Sequence, residues 1–213
     1  MDFPSELQIP VTKRHRDLRS LLFSFLKHNF ERVAHIGCNQ FVYWDSRDPN
    51  SWVSPDGFVC FRGRDEEFDN WKVWERGIPQ VAIEISHPMN DGMGWVSPEP
   101  SWEHKLRGYL EIGVRELVRF EPDARERPLR AWDRVGEGLA ERELERPCVY
   151  SRSLRGYWVL VEDEQSHLTL RLSRDPNGTR LYPTPSEGSS FFVEFAEERA
   201  SEMSAELQRR ASR

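Results

Sequence analysis

The feature that most constrains this chain is the run Gln80-Val81-Ala82-Ile83-Glu84-Ile85-Ser86. It is short, almost wholly apolar and rich in β-branched residues. That combination predicts a central strand covered on both faces rather than one with a solvated side. One carboxylate, Glu84, sits in its middle. A buried carboxylate is costly unless it is paired, hydrogen-bonded or bound to a metal. Two readings therefore stand side by side: a structural Glu held by a nearby Arg or by backbone donors, and a functional one.

The flanking sequence supplies layers for such a strand. Leu18, Leu21, Leu22, Phe25 and Leu26 follow helical spacing and predict a helix over 14–28. Strand character follows in 35–44, and 45–51 is a loop by its turn residues. Phe58 to Phe61 reads as a strand that starts just after Pro55-Asp56-Gly57. Downstream of the Glu84 strand, Trp102, Leu106, Tyr109 and Leu110 mark a second helix, with Gly113 where a C-cap belongs. Val114 to Phe120 is the next strand. Beyond Pro122 the pattern becomes β-rich, at 129–132, 157–161 and 168–172. Asp175-Pro176-Asn177-Gly178 signals a turn ahead of a further strand. Ser189 to Ser212 reads as a terminal helix. This order predicts an α/β (α+β) layout around a mixed sheet.

Two further residues bear on Glu84. Asp56 opens the strand at Phe58, so two acidic residues at strand positions of one sheet could converge on a hard cation. Taken alone, Pro55-Asp56-Gly57 is a plain turn. Lys105 lies one turn into the helix after the Glu84 strand and could aim its ammonium at the same point. An arbitrary helical Lys is a surface residue.

Together they form a pattern. Pro55-Asp56, then Val81-Ala82-Ile83-Glu84-Ile85-Ser86, then Glu103 to Leu117 with Lys105, Tyr109 and Gly113-Val114 resemble the Uma2 (DUF820) family of restriction-endonuclease-like proteins. That family belongs to the PD-(D/E)XK nuclease superfamily. Its pattern is Pro-Asp, a strand ending in Glu-x-Ser, a loop Asp, a helical Lys, a Tyr four residues later, and Gly-Val opening the next strand. The resemblance covers residues 12–185, with its motif core at 55–122. It implies a restriction-endonuclease-like core in which a mixed central β-sheet is flanked by helices. A C-terminal β-rich part and a terminal helix would be additions to that core. It also implies catalytic Asp56, Glu84 and Lys105, with Asp56 and Glu84 as ligands of Mg²⁺ or Mn²⁺. The chemistry agrees: a cation neutralises charge on phosphoryl oxygens and activates a water, and an ammonium stabilises the transition state. On this reading 1–185 is the nuclease-like domain and 186–213 a helical extension.

The sequence departs from the superfamily in one place. A lysine two residues after the Glu is usual, and here that position is Ser86. Alternation puts Ser86 on the Glu84 side of the strand, so Ser86 is an accessory candidate. Asp91 is the other, although it lies fourteen residues before Lys105, where about four is the family's spacing. The stretch 92–102, with two Gly, two Pro and two Trp, reads as an insertion beside the site, an ordinary surface excursion before it is a lid. His35 and Cys38 lack a second pair for a zinc site. His87 and His104 read as loop or helix surface, and Trp71 and Trp74 as core.

Composition limits the partners. The net charge of −6 argues against a strong nonspecific nucleic-acid binder. Yet residues 13–32 hold Lys13, Arg14, Arg16, Arg19, Lys27 and Arg32 against Asp17 and Glu31, which leaves room for a local basic face. No apolar run reaches the ~20 residues of a membrane span, and the first residues lack a secretory pattern. Three scattered cysteines fit a reducing compartment. The expectation is a cytoplasmic metal-dependent endonuclease acting on DNA, a homodimer if it cuts both strands. The competing class is a noncatalytic binding or assembly module on the same fold, in which Lys105 points to solvent.

Overall fold

The computed structural model describes residues 12–61, 66–86 and 101–188. The chain divides into two compact units, Met1–Tyr182 and Pro183–Arg213, and every helix and strand named below belongs to the first. The expected terminal helix from Ser189, the loop residue Asp91, His87 and nearly all of the 92–102 excursion lie outside the described residues.

The chain opens with helix α1 (Lys13–Phe30), whose N-cap Thr12 accepts a hydrogen bond from the His15 N–H. Strands β1 (His35–Gly37), β2 (Val42–Tyr43), β3 (Trp52–Val53), β4 (Gly57–Cys60) and β5 (Trp71–Lys72) follow, then the one-turn helix α2 (Val73–Arg76). The Glu84 strand is β6 (Val81–Ile85), and helix α3 (Trp102–Ile112) leads from it to β7 (Glu116–Phe120). The rest is β8 (Leu129–Val135), β9 (Gly138–Glu141), β10 (Cys148–Ser151), β11 (Gly156–Glu162) and β12 (Leu168–Ser173).

Six strands form the main sheet in the order β1-β4-β6-β7-β8-β9. The β6–β7 pair is parallel and the others antiparallel, so the sheet is mixed. Parallel neighbours need a crossover, and α3 lies within it. Every residue of β6 is buried, as its composition predicts. Alternation along β6 divides two cores. Val81, Ile83 and Ile85 face α1 and pack with Leu22, Phe25 and Leu26. Trp158, Leu170 and Leu172 of the β10-β11-β12 sheet complete that layer. Ala82 faces the other way, into a core with Tyr109 and Ile112 of α3 and with Val42, Val53 and Trp71 of the small β3-β2-β5 sheet. Glu84 shares the Ala82 face by strand period.

The expected α/β layout is present, with local differences, among them strands β3, β9 and β10, which the sequence pattern did not mark. The stretch between Phe61 and Gln80, for which the sequence pattern marks no element, contains β5 and α2. Trp71 is fully buried against Phe58 and Phe68 and donates from Nε1 to the Gly77 carbonyl at 2.7 Å. Trp74, expected in the core, is 40% exposed, because a one-turn helix turns it away from that cluster. The Asp175 turn forms but is followed by a single bridge, Ser173 to Leu181, rather than by a strand. Asp175 itself accepts from the N–H groups of Asn177, Thr179 and Arg180, which holds those residues in a loop. All three cysteines are free thiols. Among the described residues no helix is long and apolar enough to cross a membrane.

Helix α3 is fixed to its layer at both ends and in the middle. Ser101 is its N-cap, and Gly113 closes it in the left-handed conformation at φ 87°. In the middle Gly108 meets the small sheet. A Cβ there would lie 2.5 Å from Val53 Cγ1, with the Trp44 ring at 3.3 Å behind it. Helix propensity alone favours Gly108→Ala by about 1 kcal/mol, but overpacking a filled interface costs about 1–3 kcal/mol. Val53 is β-branched and held in a strand, so it cannot swing aside. Gly108→Ala is therefore expected to lower stability by about 1–2 kcal/mol in urea unfolding, and an unchanged or raised midpoint would show that α3 does not sit this tightly.

Candidate active site

The site forms where β4 begins and β6 ends. Pairing of β4 with β6 runs Val59 to Val81, Phe58 to Ala82 and Gly57 to Ile83. One more step of that register would set Asp56 opposite Glu84. The ladder stops there, and Ile85 shows the consequence. The next amide, that of Ser86, donates to Phe120 of β7 at 2.8 Å. The Ile85 N–H therefore points the other way, past the end of the paired part of β4. It donates instead to Asp56 Oδ2 at 2.7 Å. A buried amide needs an acceptor, and the Asp56 side chain provides it where the backbone no longer can. The Pro55 carbonyl is tied in turn to the Asn39 N–H at 3.0 Å, and Asn39 adopts a left-handed φ of 58° in the β1–β2 turn.

Two helices bring partners to the two acids, each with a pair of side chains four residues apart, the spacing that shares a helix face. From α3, Lys105 Nζ donates to Glu84 Oε2 at 2.9 Å, and the Tyr109 hydroxyl donates to Glu84 Oε1. From α1, His15 Nε2 lies 2.7 Å from Asp56 Oδ1, donating in the tautomer protonated at Nε2, and Arg19 approaches the same oxygen at 3.8 Å. Lys105 does not turn to solvent: its side chain is 17% exposed and Glu84 is 1% exposed. Asp56, Glu84 and Lys105, read from sequence as one constellation, are thus found at one end of the sheet.

The electrostatics follow from burial. Removal from water pushes the Glu84 carboxyl above its ordinary value. The Lys105 charge opposes that rise, the Asp56 charge adds to it, and the Tyr109 hydrogen bond opposes it. The Tyr109 phenol is driven well above its usual range by burial and by the Glu84 charge, so it stays protonated and donates.

Ser86 occupies the position of the absent strand lysine, on the Glu84 side. Its hydroxyl accepts from Arg119 Nε at 3.2 Å. Arg119 stands opposite Glu84 in the β6–β7 register, stacks over Trp102 at 4.3 Å and pairs with Glu121 at 2.7 Å. Ser86 therefore does more than end the strand, since it anchors an arginine beside the site. His104 is exposed on α3, and His35 packs in β1 against Trp71 at 5.4 Å.

Sequence reasoning missed His15 and Arg19 as neighbours of Asp56. The signal was present for His15. It lies three residues before Leu18 and seven before Leu22, on the buried stripe of α1.

A hard divalent cation takes oxygen ligands, and two adjoining carboxylates are the donors it prefers. Each Asp56 and Glu84 oxygen keeps a lone pair beyond its hydrogen bond, and the charges of the two acids repel. Among the described residues no cluster of three or more His, Cys, Asp or Glu could complete a cage. Two protein carboxylates with the remaining positions left to water and substrate suit Mg²⁺, which dehydrates reluctantly. The residues present fit the ion that the sequence pattern implies.

No protein-family model matches the chain. No curated protein matches it. Among solved structures, it is similar to one described as "a putative nuclease belonging to DUF820" from Anabaena variabilis, with 16% identity over 69% of this chain and 77% of that one and a TM-score of 0.45.

Proposed function

We propose that this chain is a metal-dependent nuclease that hydrolyses phosphodiester bonds in DNA, with Asp56, Glu84 and Lys105 as its catalytic residues. The observation that carries this reading is the fully buried Glu84 at the end of the central strand, gripped by Lys105 at 2.9 Å and adjoined by Asp56. A purely structural carboxylate needs one good partner. Here a second acid is set beside it, which raises its cost rather than lowering it.

In this mechanism Asp56 and Glu84 hold Mg²⁺ or Mn²⁺. When bound, that ion neutralises charge on the phosphoryl oxygens and lowers the pKa of an attacking water. Lys105 places a positive charge where the phosphoryl group gains negative charge in the transition state. Tyr109 and His15 are positioning residues, which fix the rotamers of Glu84 and Asp56 through hydrogen bonds. The reading of a noncatalytic module expected Lys105 in solvent, and its contact with Glu84 favours the enzyme.

Purified protein incubated with Mg²⁺ or Mn²⁺ and a mixed panel of DNA substrates is expected to show cleavage that chelation abolishes. Lys105→Met is expected to slow it by about 10²–10³-fold, the usual loss for one electrostatic donor. Asp56→Asn and Glu84→Gln are expected to reduce it to background. No cleavage of any substrate, together with unchanged metal affinity in Asp56→Ala and Glu84→Ala, would sink the proposal.

The charge cost of Glu84 gives a second expectation, independent of turnover. Its pKa is raised in the folded chain, so the ionised side chain destabilises the metal-free fold. That penalty is complete above the raised pKa and disappears below the ordinary value near 4.5. In chelator, Glu84→Gln is therefore expected to melt at a higher temperature than wild type at neutral pH, and the gap should close as the pH falls toward 4.5. Added Mg²⁺ should raise the wild-type Tm and leave Glu84→Gln unmoved, because an ion stabilises only the state that binds it. A Glu84→Gln protein that melts lower than wild type in chelator would contradict this account of the site.

A further inference from the structure

Arg19 is not accounted for by the chemistry above. It lies one helical turn after His15 on α1, and its side chain is only 16% exposed. Its contact with Asp56 is a single approach of 3.8 Å, beyond hydrogen-bond length. Among the described residues its guanidinium donates no hydrogen bond. It is also not one of the side chains whose polar atoms are sealed from solvent. A guanidinium carries five N–H donors in a fixed fork. With no protein acceptor among the described residues, its donors are left to the water that reaches them. A group in that state beside a catalytic acid is poised for an acceptor that arrives from outside, and the fork matches the oxygens of a phosphate.

We propose that Arg19 is a substrate-binding residue that takes a backbone phosphate of the nucleic acid, so that α1 and α3 grip the strand from the two sides of the acid pair. This rests on the nuclease reading of the site and adds its second phosphate contact. Lys105 on α3 serves the reacting phosphoryl group, and Arg19 on α1 serves the sugar–phosphate chain. Arg19 and Lys105 set one cation beside each acid, so a polyanion meets positive charge there despite the chain's net charge of −6. It also gives Arg19 a role that simple neutralisation of Asp56 does not, since His15 already bonds Asp56 at 2.7 Å.

The two roles differ in salt dependence. Each phosphate neutralised by the protein steepens the fall of log affinity with log salt by about 0.9 for duplex DNA and about 0.7 for single strands. The test uses the full chain carrying Glu84→Gln, which blocks turnover, and a fluorescein-labelled DNA duplex titrated by anisotropy between about 50 and 200 mM KCl. Adding Arg19→Met keeps the aliphatic stem. It is expected to weaken binding about tenfold or more, the size of one charge-assisted hydrogen-bond pair, and to flatten the salt slope by about 0.9. Arg19→Lys keeps a point charge without the fork, so it should restore the slope while leaving affinity below that of Arg19. If Arg19→Met folds and its slope and affinity match its parent, the proposal is overturned while the nuclease reading stands. If Arg19→Met does not fold, Arg19→Lys decides: undiminished affinity would overturn the proposal. If the Glu84→Gln parent shows no salt-dependent binding of DNA and wild type cleaves none, both readings fall together; if wild type does cleave, an Arg19→Met cleavage rate with the salt dependence of wild type overturns the proposal alone.

Discussion

Glu84, in a central strand, is the most deeply buried charged side chain among the described residues, and the architecture around it is arranged by the cost of that burial. The strand cannot be shifted by one residue to release it, because a slip would move Ile83 and Ile85 off the α1 core and onto the other face. The charge therefore has to be met where it stands. Lys105 meets one oxygen and Tyr109 the other, and both come from the helix that the parallel β6–β7 connection brings across this face. Asp56 then returns a negative charge to the same place. Two acids that raise one another's cost are hard to justify as packing and simple to justify as ligands.

The same construction is used twice. Each helix contributes two polar side chains four residues apart, His15 with Arg19 and Lys105 with Tyr109, and each pair addresses one acid. In both pairs one member has its hydrogen bond set by the fold and the other carries permanent charge. The acids sit on rigid elements, since Glu84 is inside a strand and Asp56 serves as acceptor for the Ile85 amide. Acids held on rigid elements lessen the reorganisation needed at reaction. The layers behind the site are correspondingly tight, as the contact between Gly108 and Val53 illustrates.

Glu84 was legible in the sequence because it breaks an otherwise continuous apolar run, and such a break needs a cause. The placement of Lys105 came from a family-like spacing rather than from physics, and nothing in the local residues distinguishes it from a surface lysine. His15 was partly legible. It falls on the buried stripe of α1, but a histidine near a helix start beside Lys13, Arg14 and Arg16 reads as part of a solvated basic turn. Trp71 was legible as a core residue, but β5 was not, because Glu66, Glu67 and Asp69 make that stretch look like a connection. What buries Trp71 is distant in sequence: Phe58 and His35. Strand β9 has no apolar alternation and is almost wholly exposed, so its pairing with β8 supplied no pattern to read. The role of Ser86 became visible only with the β6–β7 register, which sets Arg119 beside it.

Everything proposed for this site depends on Asp56 and Glu84 together holding a divalent cation. Anomalous scattering from a crystal soaked in Mn²⁺ tests that most directly. The expected result is a single strong peak within bonding distance of an oxygen from each acid, lost in Asp56→Asn, with water filling the remaining positions. A Mn²⁺-saturated crystal with no peak between the two acids, and with Lys105 and Tyr109 still closed on Glu84, would contradict it.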